Sequence, residues 1–238
     1  MRIAIYGAGS LGTTLGAFIS KAGVDIELIN RNKAHIEALR NNGAQIVGTL
    51  KFSQPVIAYT PDEMKGEYDI IFLMTKQQHN KEVVEMLKNY LKTDGALVTF
   101  QNGLPELKIA NILGEQSVLG CTVAWGATLV SPGVCELTSE PDALSFSLGS
   151  ISKERNKHFE KVAELLRLMG HVDIEENFIG TRWSKLLINS SFSGMSAVLG
   201  CTFGEAAGPH NSRHIVQAII KECIDVCKCG GIKIEPVQ

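Results

Sequence analysis

Residues 2–12 read Arg2-Ile3-Ala4-Ile5-Tyr6-Gly7-Ala8-Gly9-Ser10-Leu11-Gly12, and this stretch decides the fold. Its first half is a short apolar run with β-branched residues, as expected of a buried strand. The glycine-rich half follows without a spacer. Beyond it Leu11, Leu15, Phe18, Ile19 and Ala22 recur at helical spacing and stop at Gly23. In the order strand, turn, helix each glycine has a task. Gly7 permits the sharp turn, Gly9 lets a pyrophosphate approach the backbone, and Gly12 lets helix and strand pack closely. The phosphates then meet unpaired N–H groups at the helix N-terminus, so Gly7, Ala8, Gly9, Ser10, Leu11 and Gly12 are candidate cofactor contacts. Glycines also gather in ordinary turns. Placed between a first strand and the helix it opens, the motif is specific for a dinucleotide site.

The next strand selects the cofactor. Val24-Asp25-Ile26-Glu27-Leu28-Ile29-Asn30 alternates apolar and polar residues and ends at Asn30-Arg31. Enzymes that use NAD carry Asp or Glu there, accepting from the ribose 2′-OH. No carboxylate stands here to repel a 2′-phosphate, and Arg31 can pair with one through two parallel hydrogen bonds. The expected cofactor is therefore NADP, in its reduced form NADPH.

Composition narrows the class of protein. Hydrophobic residues make up 45% of the 238 and charged residues 20%, which fits a packed soluble core of one large domain or two modest ones. The formal net charge of -2 argues against nucleic acid as a main partner. No apolar run reaches the roughly 18 residues of a membrane span, and the chain enters its first strand without a leader pattern. A cytoplasmic location is expected, with the six cysteines as reduced thiols. Cys223, Cys227 and Cys229 lack the spacing of a metal site, and His210 with His214 has no evident third ligand, so no metal is expected.

Further strands follow the same plan. His35 to Asn42 reads as a short helix, and residues 44–59 as two extended stretches turning at Gln54-Pro55. Tyr68-Asp69-Ile70-Ile71-Phe72-Leu73-Met74 is a run apolar but for Asp69, as in a strand buried on both faces. Thr75-Lys76 lies just past its carboxyl end, where ligands bind in doubly wound sheets, and Lys76 is a candidate contact. Val83, Val84, Leu87 and Leu91 give the next helix its stripe. Gly95 to Phe100 is another strand, followed by Gln101-Asn102-Gly103, whose amides can meet nicotinamide or substrate. Residues 117–123 extend the sheet, 126–149 suggest an antiparallel edge, 159–169 an amphipathic helix and 171–174 a last strand. A βαβ series of dinucleotide-binding size thus occupies residues 1–176.

The character changes near Glu176. Residues 177–238 read as helical, and from Thr181 to Leu199 a single helix is expected. Lys185, Asn189 and Ser193 are each four apart and share one face of it. Trp183, Leu186, Leu187, Ile188 and Phe192 flank this polar stripe closely. Polar groups on a helix buried on most sides are costly unless they face a cleft. Near the end, Ile215, Val216, Ala218, Ile219, Ile220, Ile224 and Val226 form an apolar face that calls for a covering surface, which suggests a homodimer.

These residues together resemble the ketopantoate reductase (2-dehydropantoate 2-reductase) family. The resemblance rests on Gly7 to Gly12, Asn30-Arg31, Lys76, Gln101-Asn102-Gly103 and Trp183-Ser184-Lys185-Leu186-Leu187-Ile188-Asn189. It implies an α/β Rossmann domain, an all-α C-terminal domain and a cleft between them. It also implies that Lys185 is the catalytic lysine, Asn189 a substrate-orienting amide and Asn102 a contact near the nicotinamide. Two departures stand out. Ser193 replaces a second family asparagine, and the sequence ends at Gln238, short of the family's length, so a truncated helical domain without the family's acidic substrate residue is expected.

The implied reaction is reduction of a small 2-oxo acid, in the family case 2-dehydropantoate to pantoate for pantothenate and coenzyme A synthesis. Charge grows on the ketone oxygen as hydride arrives, and the Lys185 ammonium would meet it and act as general acid. Asn189 would hold the substrate, with Ser193 assisting. Two other readings stay open: a reductase of another 2-oxo acid, and a non-catalytic NADP-binding protein that senses cofactor ratio or recruits a partner.

Overall fold

In the computed structural model, which describes residues 1–236, the opening run forms β1 (Ile3–Tyr6), and α1 (Ser10–Lys21) follows the glycine turn. Then come β2 (Glu27–Ile29), α2 (Lys33–Asn42), β3 (Ala44–Gly48), β4 (Phe52–Gln54), β5 (Ile57–Tyr59) and β6 (Tyr68–Leu73). The series continues with α3 (Asn80–Leu87), β7 (Leu91–Thr99), α4 (Glu106–Leu113), β8 (Val118–Val123), β9 (Ala127–Ser131) and β10 (Val134–Leu137). It closes with β11 (Ser145–Ser150), α5 (Phe159–Arg167) and β12 (His171–Glu175). Eight strands form one sheet in the order β12-β11-β8-β7-β6-β1-β2-β5. From β5 to β8 every neighbouring pair is parallel, and β11 runs antiparallel to β8. All six residues of β6 are buried, which is why its sequence shows no alternation.

Residues 126–149 do more than edge this sheet. Only β11 joins it there. The strands β9 and β10 belong to a second, four-stranded sheet ordered β4-β3-β10-β9. Its middle is a parallel pairing that local sequence does not announce, with Val134 opposite Gln45 and Leu137 opposite Gly48. Helix α1 packs against strands of both sheets. Gly12, Thr13, Thr14, Leu15, Gly16, Ala17 and Ile19 are all buried as a result. A Cβ at Gly16 would lie 2.4 Å from Leu28 Cδ2, so the helix rests directly on β2.

Two local expectations change. The turn within residues 44–59 falls at Thr49–Lys51, between the antiparallel β3 and β4. Pro55, which has no N–H to donate, instead separates β4 from β5, and β5 crosses to the large sheet beside β2. Leu91 does not continue the α3 stripe. The helix ends at Leu87, Lys88–Tyr90 forms a 3₁₀ turn, and Leu91 opens β7 opposite Tyr68.

The described chain divides into two compact units. One comprises 1–101 and 105–174, the other 102–104 and 175 onward. The second unit contains α6 (Phe178–Ile188), a π turn (Asn189–Ser193), α7 (Gly194–Leu199), α8 (Phe203–Ala207) and α9 (His210–Cys229). The Asn177 side chain caps α6 by accepting from Gly180 N–H at 3.2 Å. Within this unit Met195, Ala206 and Val216 form a small core with Phe192, Cys201, Ile219 and Ile220 packed on it. The apolar face of 215–226 is therefore covered in part, while Ile215 and Val226 stay exposed. Residues 237 and 238, the end of the helical segment expected from sequence, lie outside the described residues.

Candidate functional site

In the first unit β2, β1, β6 and β7 lie side by side and parallel, so their carboxyl ends share one edge. On that edge stand the glycine turn after β1, Asn30-Arg31 after β2, Lys76 after β6 and Gln101 after β7. In such sheets this is the edge where ligands bind.

The glycines differ in what they permit. Gly7 has φ +100°, and a Cβ there would lie 2.6 Å from Thr75 N. At Gly12 a Cβ would lie 2.8 Å from the Gly7 carbonyl oxygen and 3.0 Å from Ile5 Cγ2. Packing within the protein dictates both. At Gly9 the nearest atom to an added Cβ is 4.0 Å away. No protein atom crowds a side chain there, so packing does not account for this glycine. No side chain caps α1, and its first turn carries no acidic residue. The amides of Ser10, Leu11 and Gly12 thus meet the needs of an anion at a helix N-terminus. These residues fit the pyrophosphate of a dinucleotide.

Asn30 turns back onto this loop. Its Nδ2 donates to the Ala8 carbonyl at 2.8 Å, and its Oδ1 accepts from Asn32 N–H at 2.9 Å. Asn32 in turn caps α2 by accepting from His35 N–H at 3.2 Å. Arg31 sits between these fixed points with an exposed side chain, and Lys76 is exposed too. Gln101 is buried, and its amide donates to the Thr75 carbonyl at 2.9 Å and to Asn80 Oδ1 at 2.7 Å. Its Oε1 accepts from Thr99 Oγ1 at 3.1 Å. Gln101 therefore ties the ends of β6 and β7 to the start of α3. The sequence places Gln101 in a ligand-facing Gln-Asn-Gly segment but does not show this tying role.

In the second unit Lys185 and Asn189 are half-buried, and the Asn189 N–H donates to the Lys185 carbonyl. One helical turn separates them, so both side chains lie on one face. Ser193 differs from them in exposure. The single helix expected over 181–199 opens into a π turn at Asn189–Ser193. The cause is local. The hydroxyls of Ser190 and Ser191 donate to the carbonyls of Leu186 and Leu187 at 2.8 and 2.7 Å, competing for acceptors of the α-helical ladder. Ser193 ends up exposed. Asn102, also exposed, belongs to this unit through the segment 102–104. Glu205 is committed elsewhere: its carboxylate accepts from Thr202 N–H at 2.8 Å in a capping box that starts α8.

The parallel sheet and the fitted glycine turn define a Rossmann-type dinucleotide-binding protein. Comparison with known proteins gives its kin. Residues 3–150 match the family described as "Ketopantoate reductase PanE/ApbA", and residues 177–238 its C-terminal counterpart. The chain belongs to the ketopantoate reductase family, a family of oxidoreductases. It is 29% identical to a 2-dehydropantoate 2-reductase of Pyrococcus horikoshii, across 99% of this chain and 76% of that protein. Similarity to a 2-dehydropantoate 2-reductase of Streptococcus pyogenes serotype M3 is 26%, across 98% of this chain and 76% of the relative. The crystal structure of 2-dehydropantoate 2-reductase from Geobacter metallireducens superposes with a TM-score of 0.88 at 26% identity, covering 100% of this chain and 79% of that one. D-mandelate dehydrogenase, solved with NADH and anilino(oxo)acetate, shares the fold at a TM-score of 0.88 and 20% identity, over 99% of this chain and 76% of its own. Among the described residues no helix is long and apolar enough to cross a membrane.

Proposed function

We propose that this protein reduces 2-dehydropantoate to pantoate with NADPH, in the synthesis of pantothenate and coenzyme A. The observation that carries this reading is the family match across both halves of the chain, the half with the open glycine turn and the half with the Lys185–Asn189 face. In this reading residues 1–176 bind the cofactor and 177–238 serve substrate and self-association, in a cytoplasmic homodimer. Gly7 to Gly12 would hold the pyrophosphate, Arg31 the 2′-phosphate, and Lys76 and Asn102 the part nearer the nicotinamide. Bound NADPH supplies the hydride. The Lys185 ammonium stabilises the negative charge that develops on the ketone oxygen and gives that oxygen its proton, so that the carbonyl ends as a secondary alcohol. Asn189 orients the substrate by hydrogen bonding to its polar groups.

A second reading is favoured by one observation. Serine stands at position 193, exposed, where the family pattern has a second asparagine, and its shorter reach would suit a different small 2-oxo acid. NADPH oxidation measured across a panel of 2-oxo acids separates the two. Fastest turnover with 2-dehydropantoate supports the first reading. A clear preference for another member of the panel supports the second, and no turnover with any of them counts against both.

A further inference from the structure

His35 is completely buried at the start of α2, beneath the glycine turn. Its Nδ1 accepts the backbone N–H of Gly133, in the turn between β9 and β10, at 3.0 Å. That bond needs a lone pair on Nδ1, so the neutral ring carries its proton on Nε2. Nε2 lies 3.1 Å from Thr13 Oγ1 and donates to it, and the Thr13 hydroxyl donates to the Ala8 carbonyl at 3.1 Å. The same carbonyl takes its second bond from Asn30. A chain of three hydrogen bonds therefore runs from the second sheet, through α2 and α1, to one peptide group of the cofactor turn.

The groups along this chain are uncharged. Burial holds the His35 imidazole below its ordinary value. Cys135 on β10 shares hydrogen bonds with Thr13 and Thr14, and burial pushes its thiol up to about 11. The direction of the Ala8 carbonyl matters because an outward-facing acceptor would repel phosphate oxygens. Two inward donors keep it away from them.

We propose that His35 is a positioning residue for cofactor binding, which fixes the Ala8 carbonyl inward through Thr13 so that the turn offers donors to the pyrophosphate. The proposal rests on the reading that this turn binds a dinucleotide. Two substitutions separate the ends of the imidazole. His35→Gln places an amide nitrogen near the position of Nε2 and keeps the Thr13 bond. His35→Asn keeps an acceptor for Gly133 near Nδ1 and loses the Thr13 bond. Thr13→Val keeps the shape and removes the hydroxyl.

The dissociation constant for NADPH is measured by fluorescence titration beside the thermal midpoint of each variant. His35→Gln should bind within about twofold of the parent. His35→Asn and Thr13→Val should each bind about fivefold more weakly, the cost of one net hydrogen bond, and the double variant no more weakly than the poorer single. Parental affinity in both His35→Asn and Thr13→Val, whatever their thermal midpoints, would overturn the proposal and leave His35 a structural residue. A parent that binds neither NADPH nor NADH would overturn the dinucleotide reading and this proposal with it.

Discussion

Replacing Gly9 and Gly12 by alanine, one at a time, asks whether the glycine turn is shaped by the protein or by a ligand. At Gly12 the new methyl must occupy space 2.8 Å from a backbone oxygen and 3.0 Å from Ile5 Cγ2, in a buried helix start. Overpacking of this kind costs about 1–3 kcal/mol and lowers the melting temperature by roughly 2–12 °C in a protein of this size. At Gly9 the methyl meets nothing nearer than 4.0 Å, while φ -83° and ψ -148° lie outside the main region of L-residues. With no atom to overpack, Gly9→Ala should cost only the strain of that backbone, about 1 kcal/mol. It should nevertheless displace the pyrophosphate from the α1 amides. Loss of one hydrogen bond to a charged group, about 1.5–3 kcal/mol, weakens NADPH by about 10- to 150-fold. Calorimetric titration with NADPH and a thermal scan of each variant give both quantities. A Gly9→Ala protein that binds NADPH like the parent would refute the assignment of this turn as the pyrophosphate site.

Two further outcomes follow from individual side chains. Arg31→Ala should raise the Michaelis constant for NADPH while leaving that for NADH nearly unchanged, and a parent that uses both cofactors equally would contradict the role given to Arg31. Burial depresses the His35 pKa, so as the pH drops below about 6.5 the unfolded chain takes up a proton that the folded chain still refuses. The stability owed to this site is present above that value and is lost as the pH falls. Denaturant titrations at a series of pH values should show a shallower acid-side slope for His35→Gln than for the parent, and equal slopes would contradict this.

The parts of the fold that local sequence encodes were legible without coordinates. The β1–α1 unit announces itself because an apolar run, a glycine turn and a helical stripe follow one another directly. Tyr68 to Leu73 reads as a central strand because burial on both faces removes its polar residues almost entirely. Long-range pairing was not legible. Nothing in Val134 to Leu137 says that it will lie parallel to residues 45–48 and help to bury α1, so 126–149 passed for a simple edge. Leu91 fits the helical stripe of α3 as well as it fits a strand, and its pairing with Tyr68 decides the matter. In the second unit spacing puts Lys185, Asn189 and Ser193 on one face, but it does not announce the π turn at Asn189–Ser193. Two serine hydroxyls competing for backbone carbonyls were enough to open the helix into a π turn. The part of His35 and the tying role of Gln101 were not legible because they depend on partners up to 98 residues away.

The reduction of 2-dehydropantoate by NADPH, followed as loss of reduced nicotinamide absorbance with the parent and with Lys185→Ala, tests the central claim most directly. The account predicts turnover by the parent and a loss of at least about 10²–10³ in kcat for the variant, with NADPH affinity largely retained, since the lysine meets the substrate oxygen rather than the phosphates. Near-parental turnover by Lys185→Ala would contradict it and reduce the Lys185–Asn189 stripe to an ordinary polar face.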